Sequence, residues 1–313
     1  MKEELRARAL AHGGVLSSHV IGQLGISDRE IEGYLRDTSL HRVRQGAFVL
    51  GEALAQANPT EAYRLKVAAV LLARAAPSRQ KRPQGVVRAS HHAGVAVHGL
   101  PLFDCDLAVV DLDAQVAHAS RRGIVRVHRQ REGDVIAMVK GVRASSVATC
   151  LVQTAATSGV TAGVVALDAA LHQELVSREA VRERADAMDL RYGARAVDLM
   201  LEFADPACES PGESRTRLIL RSLGIVFVAQ AEIRDEGFFA RVDFLVGKVV
   251  VEFDGAMKYA GATVRGELMR EKRREDELRR LGYEIVRLTW ADLADPARVG
   301  RLIREAQARA RRS

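Results

Sequence analysis

Apolar residues occupy every second position along 241–246 and 249–253, on either side of Gly247-Lys248. This alternation predicts two β-strands, and a two-residue turn that begins with Gly predicts a tight hairpin between them. The turn fixes the register of the strands. The predicted cross-strand pairs are Val246 with Val249, Leu245 with Val250, Phe244 with Val251, Asp243 with Glu252 and Arg241 with Asp254.

The two faces of this hairpin differ. The apolar face, predicted to be core, carries Val242, Phe244, Val246, Val249, Val251 and Phe253. The other face carries Arg241, Asp243, Leu245, Val250, Glu252 and Asp254. Like charges opposed on a sheet are unfavourable, so Asp243 and Glu252 need a cation or a shared proton. Mg²⁺ would relieve the conflict; a solvent-exposed face with two neighbouring acids is the alternative.

The first 52 residues show the pattern of a small DNA-binding domain. Helices are predicted over 1–12, over 17–24 and from Ser27, where Glu30 completes a capping box, and a strand–turn–strand follows over 40–50. Three helices and a hairpin are the plan of a winged helix-turn-helix. The third helix would enter the major groove, and the hairpin would touch phosphates. The predicted contacts are Arg29, Arg36, Arg42 and Arg44. A helical domain for protein contacts is the alternative, because acids share the third helix.

Two further domains are predicted. Residues 53–204 alternate strands and helices as an α/β domain, so the N-terminal half is α+β in class. Asp205-Pro206 and Ser210-Pro211-Gly212 mark a boundary. Residues 209–313 read as helix, three strands, helix, strand and helix, which predicts an α/β domain with a mixed sheet flanked by helices.

Length and charge agree with this division. A chain of 313 residues is long enough for two or three domains. The net charge of +7 favours an anionic partner such as nucleic acid, and 4% aromatic content argues against base-stacking platforms. Three cysteines without a CxxC pair fit a reducing cytoplasm. No apolar run reaches membrane-spanning length, so no membrane partner is expected.

His91, His92 and His98 suggest a metal site. However, His91 and His98 do not have the spacing of a helical ligand pair, and no carboxylate nearby in the sequence completes a set. Structural histidines with satisfied hydrogen bonds are therefore predicted.

From Glu213 onward the chain resembles the PD-(D/E)XK restriction-endonuclease-like superfamily, in the branch of very-short-patch repair endonucleases. The motifs that carry the resemblance are Glu213-Ser214, Val242-Asp243-Phe244, Val251-Glu252-Phe253-Asp254-Gly255, Lys258-Tyr259, Lys272 to Asp276, Leu281-Gly282-Tyr283 and Arg287. The first half is similar, more loosely, to the AbiEi type of abortive-infection antitoxin. Its motifs are Gly14-Val15-Leu16, Arg42 to Gly46, Ser90 to Ala93, His98 to Pro101 and Arg143.

The nuclease resemblance implies roles for individual residues. Asp243 and Glu252 would bind Mg²⁺ or Mn²⁺, and Glu213 would be a supporting acid on a helix. The superfamily places Lys two residues after the Glu, where this chain has Asp254. Lys258 would then supply the cation, and Asp254 would be either a third ligand or the partner of Arg241.

The helix after this motif is basic. In the resemblance its cations grip the nucleic-acid backbone; they are Lys272, Arg273, Arg274 and Arg279. They alternate with acids, so an exposed helix with i,i+4 ion pairs is the alternative.

Together these expectations describe a Mg²⁺-dependent endodeoxyribonuclease, targeted to DNA by a winged helix, in repair or defence. The alternative is a DNA-binding repressor or antitoxin whose nuclease fold is inactive. RNA as the substrate, a homodimer and a partner toxin are left open.

Overall fold

The computed structural model describes residues 1–75, 86–255 and 264–312, with side chains from 269 onward in the last range. These residues form two compact units. The N-terminal unit comprises Met1–Ala170 and Glu174–Glu202, and the C-terminal unit comprises Leu171–Gln173 and Phe203–Ser313. Among the described residues, every helix is too short or too polar to cross a lipid bilayer.

The N-terminal unit begins with three helices and a three-stranded antiparallel sheet. The elements are α1 (Glu3–Ala11), β1 (Val15–Ser17), α2 (Ser18–Gln23), α3 (Asp28–Arg36), β2 (Leu40–Arg44) and β3 (Ala47–Leu50). The strand order is β1-β3-β2. The predicted helices and hairpin are present, and the capping box between Ser27 and Glu30 is confirmed. Strand β1 was not predicted, because its three residues are too few to show alternation.

The rest of this unit surrounds a six-stranded mixed sheet with the order β6-β7-β5-β4-β9-β8. Its elements are α4 (Gly51–Ala55), α5 (Pro59–Ala75), β4 (Arg88–Ala89), α6 (His91–Val97), β5 (Val110–Ala114), β6 (Ser120–Arg122), β7 (Val125–Arg129), β8 (Ile136–Val139), β9 (Val142–Ser145), α7 (Val147–Ser158), α8 (Val160–His172), α9 (Arg178–Ala187) and α10 (Ala194–Phe203). Apolar residues of α5, α6, β5 and β7 form the core between the sheet and these helices.

The C-terminal unit has a four-stranded sheet with the order β10-β11-β12-β13, in which only β12 and β13 run parallel. Its elements are α11 (Pro211–Ser222), β10 (Val228–Asp235), β11 (Phe238–Val246), β12 (Val249–Phe253), α12 (Val264–Arg280), β13 (Glu284–Leu288), α13 (Trp290–Leu293) and α14 (Pro296–Ala310). The predicted element order is present, with the short α13 added.

The β11–β12 hairpin has the predicted register at its turn end, where Val246, Leu245 and Phe244 pair with Val249, Val250 and Val251. Its apolar face packs against α11 and α14, as the core cluster of Phe244, Val246, Val249, Val251, Ile219 and Ile303 indicates. Val242 is buried, as predicted, but in a second cluster with Leu278 of α12 rather than in the first. Val250, placed on the face of the acids, is fully buried in that second cluster. The second face is thus also covered, which leaves only its Asp243–Glu252 end polar.

Candidate active site

Three acidic residues from three different elements lie close enough to interact electrostatically. Asp243 comes from β11, Glu252 from the end of β12, and Glu213 from the first turn of α11. Both Glu213 and Glu252 act on the pKa of Asp243 through their charges. Asp243 and Glu252 lie on adjacent strands, but the β11–β12 ladder ends at Phe244–Val251, so their predicted cross-strand pairing is not part of it.

Asp243 is the most perturbed acid of the group. Burial and the negative charges of Glu213 and Glu252 raise the pKa of its carboxyl to about 6, against the opposing effects of the Phe253 N–H and Arg274. One carboxyl oxygen, Oδ2, accepts a hydrogen bond from the backbone N–H of Phe253 at 2.8 Å. In the described ranges no protein group donates to the other oxygen. A half-buried carboxyl with one oxygen that accepts from no described protein group, and with two acidic neighbours, is a place where a cation is favoured.

Glu252 already has a cationic neighbour. Arg274 of α12 approaches Oε1 of Glu252 to 2.5 Å, and Nε of Arg287 in β13 lies 3.9 Å from Oε2. Arg274 also donates to the backbone carbonyl of Arg241 at 3.1 Å. The guanidinium therefore offsets part of the negative charge of the cluster.

Glu213 is held in place by its surroundings. Ser210 caps α11 by accepting from the N–H of Glu213, and Oε2 of Glu213 accepts from the N–H of Glu209 and from Nε2 of Gln230, both at 3.0 Å. Gln230 lies in β10 with φ +47, a backbone conformation that non-glycine residues rarely adopt. Strained backbone of this kind is concentrated at active sites and ligand-binding sites, where the surrounding structure holds the residue in place. Here it places an amide donor on the buried Glu213.

The residues present suit a hard divalent cation. Carboxylate oxygens are the ligands that Mg²⁺ and Mn²⁺ prefer. The unpartnered oxygen of Asp243 and the acids that raise its pKa provide both the ligand and the negative potential. Asp243 and Glu252 are the residues that could hold the ion. Glu213 adds negative charge close to Asp243.

Other predicted members of the site are placed differently. Asp254 is exposed at the end of β12, and Arg241 pairs with Glu209 at 2.5 Å, so the predicted cross-ribbon pair of Arg241 with Asp254 is wrong. Lys258 and Tyr259 lie outside the described residues.

The basic helix α12 divides into two sets of cations. Lys272 and Arg273 are exposed and form no ion pair with a described residue. Arg279 pairs with Glu275 at 2.7 Å, and Arg274 is committed to Glu252. Lys272 and Arg273 therefore fit the interpretation of α12 as a phosphate-binding helix. Arg279 and Arg274 fit the interpretation of an ion-paired helix.

Among the arginines predicted to contact DNA, Arg29 and Arg36 are exposed on α3. Arg42 pairs with Glu32 at 2.6 Å and lies over the ring of Phe48, and Arg44 is half-buried. Only the two on α3 are exposed without a described ion-pair partner.

One group was missed by sequence reasoning. In the described part of the chain, the one set of His, Cys or acidic side chains whose ligand atoms all lie within 4.8 Å of one another is His91, Asp111 and His128. The expectation that no carboxylate completes a histidine set is therefore wrong. Asp111 and His128 come from β5 and β7, so the signal lies in strand pairing rather than in sequence spacing. His98 behaves as predicted, with Nε2 within 2.8 Å of the Ser145 carbonyl.

Comparisons with known proteins give relatives of unassigned activity. No family model matches the chain. The uncharacterized proteins Rv2248 and MT2308 of Mycobacterium tuberculosis, strains ATCC 25618/H37Rv and CDC 1551/Oshkosh, are each 30% identical over 216 residues, which is 67% of this chain and 78% of theirs. The catalytic domain of the homing endonuclease I-Bth0305I aligns with 32% of this chain and 95% of its own length, at 25% identity and a TM-score of 0.25.

Proposed function

The chain belongs to the same family as the uncharacterized protein Rv2248 of Mycobacterium tuberculosis, and we propose that it is a metal-dependent endonuclease that hydrolyses phosphodiester bonds in DNA. The observation that carries the proposal is the environment of Asp243. A purely architectural domain gains nothing from setting a half-buried carboxyl beside two further acids, where desolvation and, to a smaller extent, the two negative charges raise its pKa to about 6. A nuclease needs this arrangement, because its cation must be held by carboxylates next to the phosphate.

The roles of the side chains follow from their positions. A divalent cation, when bound, neutralises the phosphate and makes a water molecule a stronger nucleophile. Asp243 and Glu252 would hold that ion, and Glu213 would fix the negative potential around it. Arg274 lies beside Glu252 and offers a guanidinium to a phosphate oxygen. Lys272 and Arg273, exposed on the same helix, would bind neighbouring phosphates.

The N-terminal helices and hairpin would deliver the nuclease to DNA as a winged helix-turn-helix. Helix α3 would be the recognition helix, with Arg29 and Arg36 as its exposed cations. Arg42 and Arg44 would support the wing, and the pairing of Arg42 with Glu32 makes it the weaker phosphate contact. Repair of DNA and defence against foreign DNA both fit such a combination.

A second function is favoured by the Arg274–Glu252 pair. A guanidinium that neutralises Glu252 allows the acid cluster to exist without a metal. In that case the chain would be a duplex-binding repressor or antitoxin without cleavage activity. Salt-sensitive duplex binding without cleavage in any divalent cation is its signature.

Cleavage of supercoiled plasmid in Mg²⁺ or Mn²⁺ tests the proposal. We expect cleavage by the wild type and at least a 100-fold loss in Asp243→Asn and Glu252→Gln, because removing one group that stabilises the transition state costs about 10²–10³ in rate. Glu236→Gln, an exposed acid in the β10–β11 turn, is the matched control and should cleave normally. Absent wild-type cleavage, or equal cleavage by all variants, would reject the nuclease. Single-stranded RNA in the same assay decides between the two nucleic acids.

A further inference from the structure

The N-terminal unit contains a cluster of two imidazoles and one carboxylate that is unrelated to the acid cluster of the C-terminal unit. His128 Nε2 lies 2.6 Å from Oδ1 of Asp111, and the rings of His91 and His128 stack with centroids 4.0 Å apart at 26°. Parallel pairing of β5 with β7 places Asp111 and His128 on adjacent strands. His91 reaches them from the first residue of α6.

The position of His91 is maintained by unusual backbone support. Its φ is +52, which is costly for a residue with a side chain. The backbone N–H of His91 donates to Oε1 of Gln153 at 2.9 Å, and Nε2 of Gln153 donates to Asp113 at 2.9 Å. A strained backbone held by these hydrogen bonds indicates that the fold fixes the orientation of the His91 side chain.

Neighbouring groups contact Asp111 and the ring of His91 in the way that outer-shell residues contact metal ligands. His92 Nδ1 lies 3.4 Å from Oδ2 of Asp111, and the Ser90 hydroxyl lies 3.0 Å from Nδ1 of His91. Outer-shell contacts of this kind fix the ring orientation of ligating histidines and the rotamer of ligating carboxylates. They also leave Nε2 of His91 available.

The cluster opens onto space that could hold additional ligands. His91, His128 and Gln153 line a cavity of about 730 Å³, and Arg129, Arg131 and Arg191 line it as well. Structural zinc sites are closed by four protein ligands, whereas catalytic sites keep an open position. Three protein ligands beside a cavity match the open type, and the cavity wall is mixed in charge, because Glu132 and Asp189 line it together with the three arginines.

We propose that His91, Asp111 and His128 form a binding site for a first-row transition-metal ion, of which Zn²⁺ is the test case. Two ligands about 2.05 Å from a tetrahedral ion are about 3.3 Å apart. The His128–Asp111 contact must therefore open by about 0.7 Å from its present 2.6 Å. A rotation of the half-buried His128 side chain would be needed for that movement, and the ion would then replace the hydrogen bond between these residues.

Isothermal titration of the full chain with ZnCl₂, after removal of any affinity tag, tests this site. An Asp243→Asn background separates it from ions held by the C-terminal unit. We expect one equivalent to bind, with affinity reduced about tenfold or more in His128→Gln and Asp111→Asn. The control His118→Gln removes an exposed histidine outside the cluster and should bind as the parent does.

Co²⁺ substitution provides a readout that does not depend on the folding of a variant. Wild-type protein with one equivalent of Co²⁺ should show the intense visible absorption of a tetrahedral or five-coordinate ion, lost on adding excess Zn²⁺. Absence of stoichiometric Zn²⁺ binding, or equal affinity in the parent and His128→Gln, would overturn the site. An octahedral Co²⁺ spectrum would do so as well.

Discussion

The guanidinium of Arg274 lies 2.5 Å from Oε1 of Glu252, and both side chains are largely buried, with 25% and 14% exposed. The same guanidinium binds the carbonyl of Arg241. Arg274 thus attaches helix α12 to the two inner strands of the sheet, β11 and β12. We therefore expect the charge state of the cluster to affect the stability of this part of the C-terminal unit and, if the proposed nuclease is correct, its catalysis.

Replacing Arg274 should destabilise the protein in the absence of divalent cations. Arg274→Met leaves Glu252 without its main counter-charge, and loss of one partner from a mostly buried pair costs about 1–3 kcal/mol after allowance for partial exposure. Mg²⁺ should recover part of this loss. The control is Arg279→Met on the same helix, whose exposed pair with Glu275 is worth under about 0.5 kcal/mol. Urea denaturation measures the free energy of unfolding of both variants. Equal losses in the two would show that the Arg274–Glu252 pair contributes no more stability than the exposed pair.

Asp243 should make metal-free stability fall as pH rises. Its pKa is about 6 in the folded chain and near 3.8 when unfolded, so its neutral form is favoured by folding. Its contribution is fully present below pH 3.8 and is lost as pH rises through 6, by at most about 3 kcal/mol.

The variant Asp243→Asn removes this pH dependence. It should therefore be more stable than the wild type at pH 7.5 in chelator, and the difference should shrink towards pH 4. Adding Mg²⁺ at pH 7.5 should stabilise the wild type and leave Asp243→Asn unchanged. Thermal denaturation at several pH values tests this, and a variant less stable at pH 7.5 would contradict the environment assigned to Asp243.

Close packing at Gly212 should also be detectable. A Cβ at this position would come within 2.1 Å of the ring of Phe253. That ring packs edge-on against the ring of Trp290, with the two ring centroids 4.9 Å apart. Gly212→Ala should cost about 1–3 kcal/mol through overpacking. It should also slow cleavage, because Phe253 supplies the N–H that holds Asp243.

The same substitution in open space is the control for Gly212. Gly33 lies within α3 with no atom near a built Cβ, so Gly33→Ala should stabilise its unit by about 0.5–1 kcal/mol. Differential scanning calorimetry measures the stability of both variants, and the two changes should have opposite signs. A destabilising Gly33→Ala, or a neutral Gly212→Ala, would contradict the packing described.

The exposed arginines of α3 should determine how salt affects DNA binding. Each phosphate contact contributes about 0.9 to the slope of log K against log salt concentration. The double variant Arg29→Gln/Arg36→Gln should therefore lower that slope by about 2 in fluorescence anisotropy with duplex DNA. Arg182→Gln, which breaks an exposed pair with Asp198, serves as control. An unchanged slope in the double variant would remove α3 from the DNA interface.

Local patterns predicted the elements better than the contacts between them. The hairpin register was predictable because the Gly247-Lys248 turn determines it within a few residues. Strand β6 was missed because its residues, Ser120 to Arg122, are all exposed and show no alternation. The burial of Val250 was missed because it depends on α12, which packs on that face from further along the chain.

Site contacts were predictable only where neighbouring strands create them. The hairpin places Asp243 and Glu252 on neighbouring strands, although its ladder ends at Phe244–Val251, one pair before them. Capture of Glu252 by Arg274, and the meeting of His91 with Asp111 and His128, join residues distant in the sequence. Tertiary packing decides such contacts, and an amino-acid pattern does not encode them locally.

Diffraction from crystals soaked in Mn²⁺ most directly tests whether the acid cluster binds the proposed cation. We predict an anomalous difference peak in contact with carboxylate oxygens of Asp243 and Glu252, with the guanidinium of Arg274 displaced from its present 2.5 Å contact. Crystals of Asp243→Asn soaked in the same way should show no such peak. Wild-type crystals without manganese at these acids, and with Arg274 still paired to Glu252, would contradict the metal-dependent nuclease.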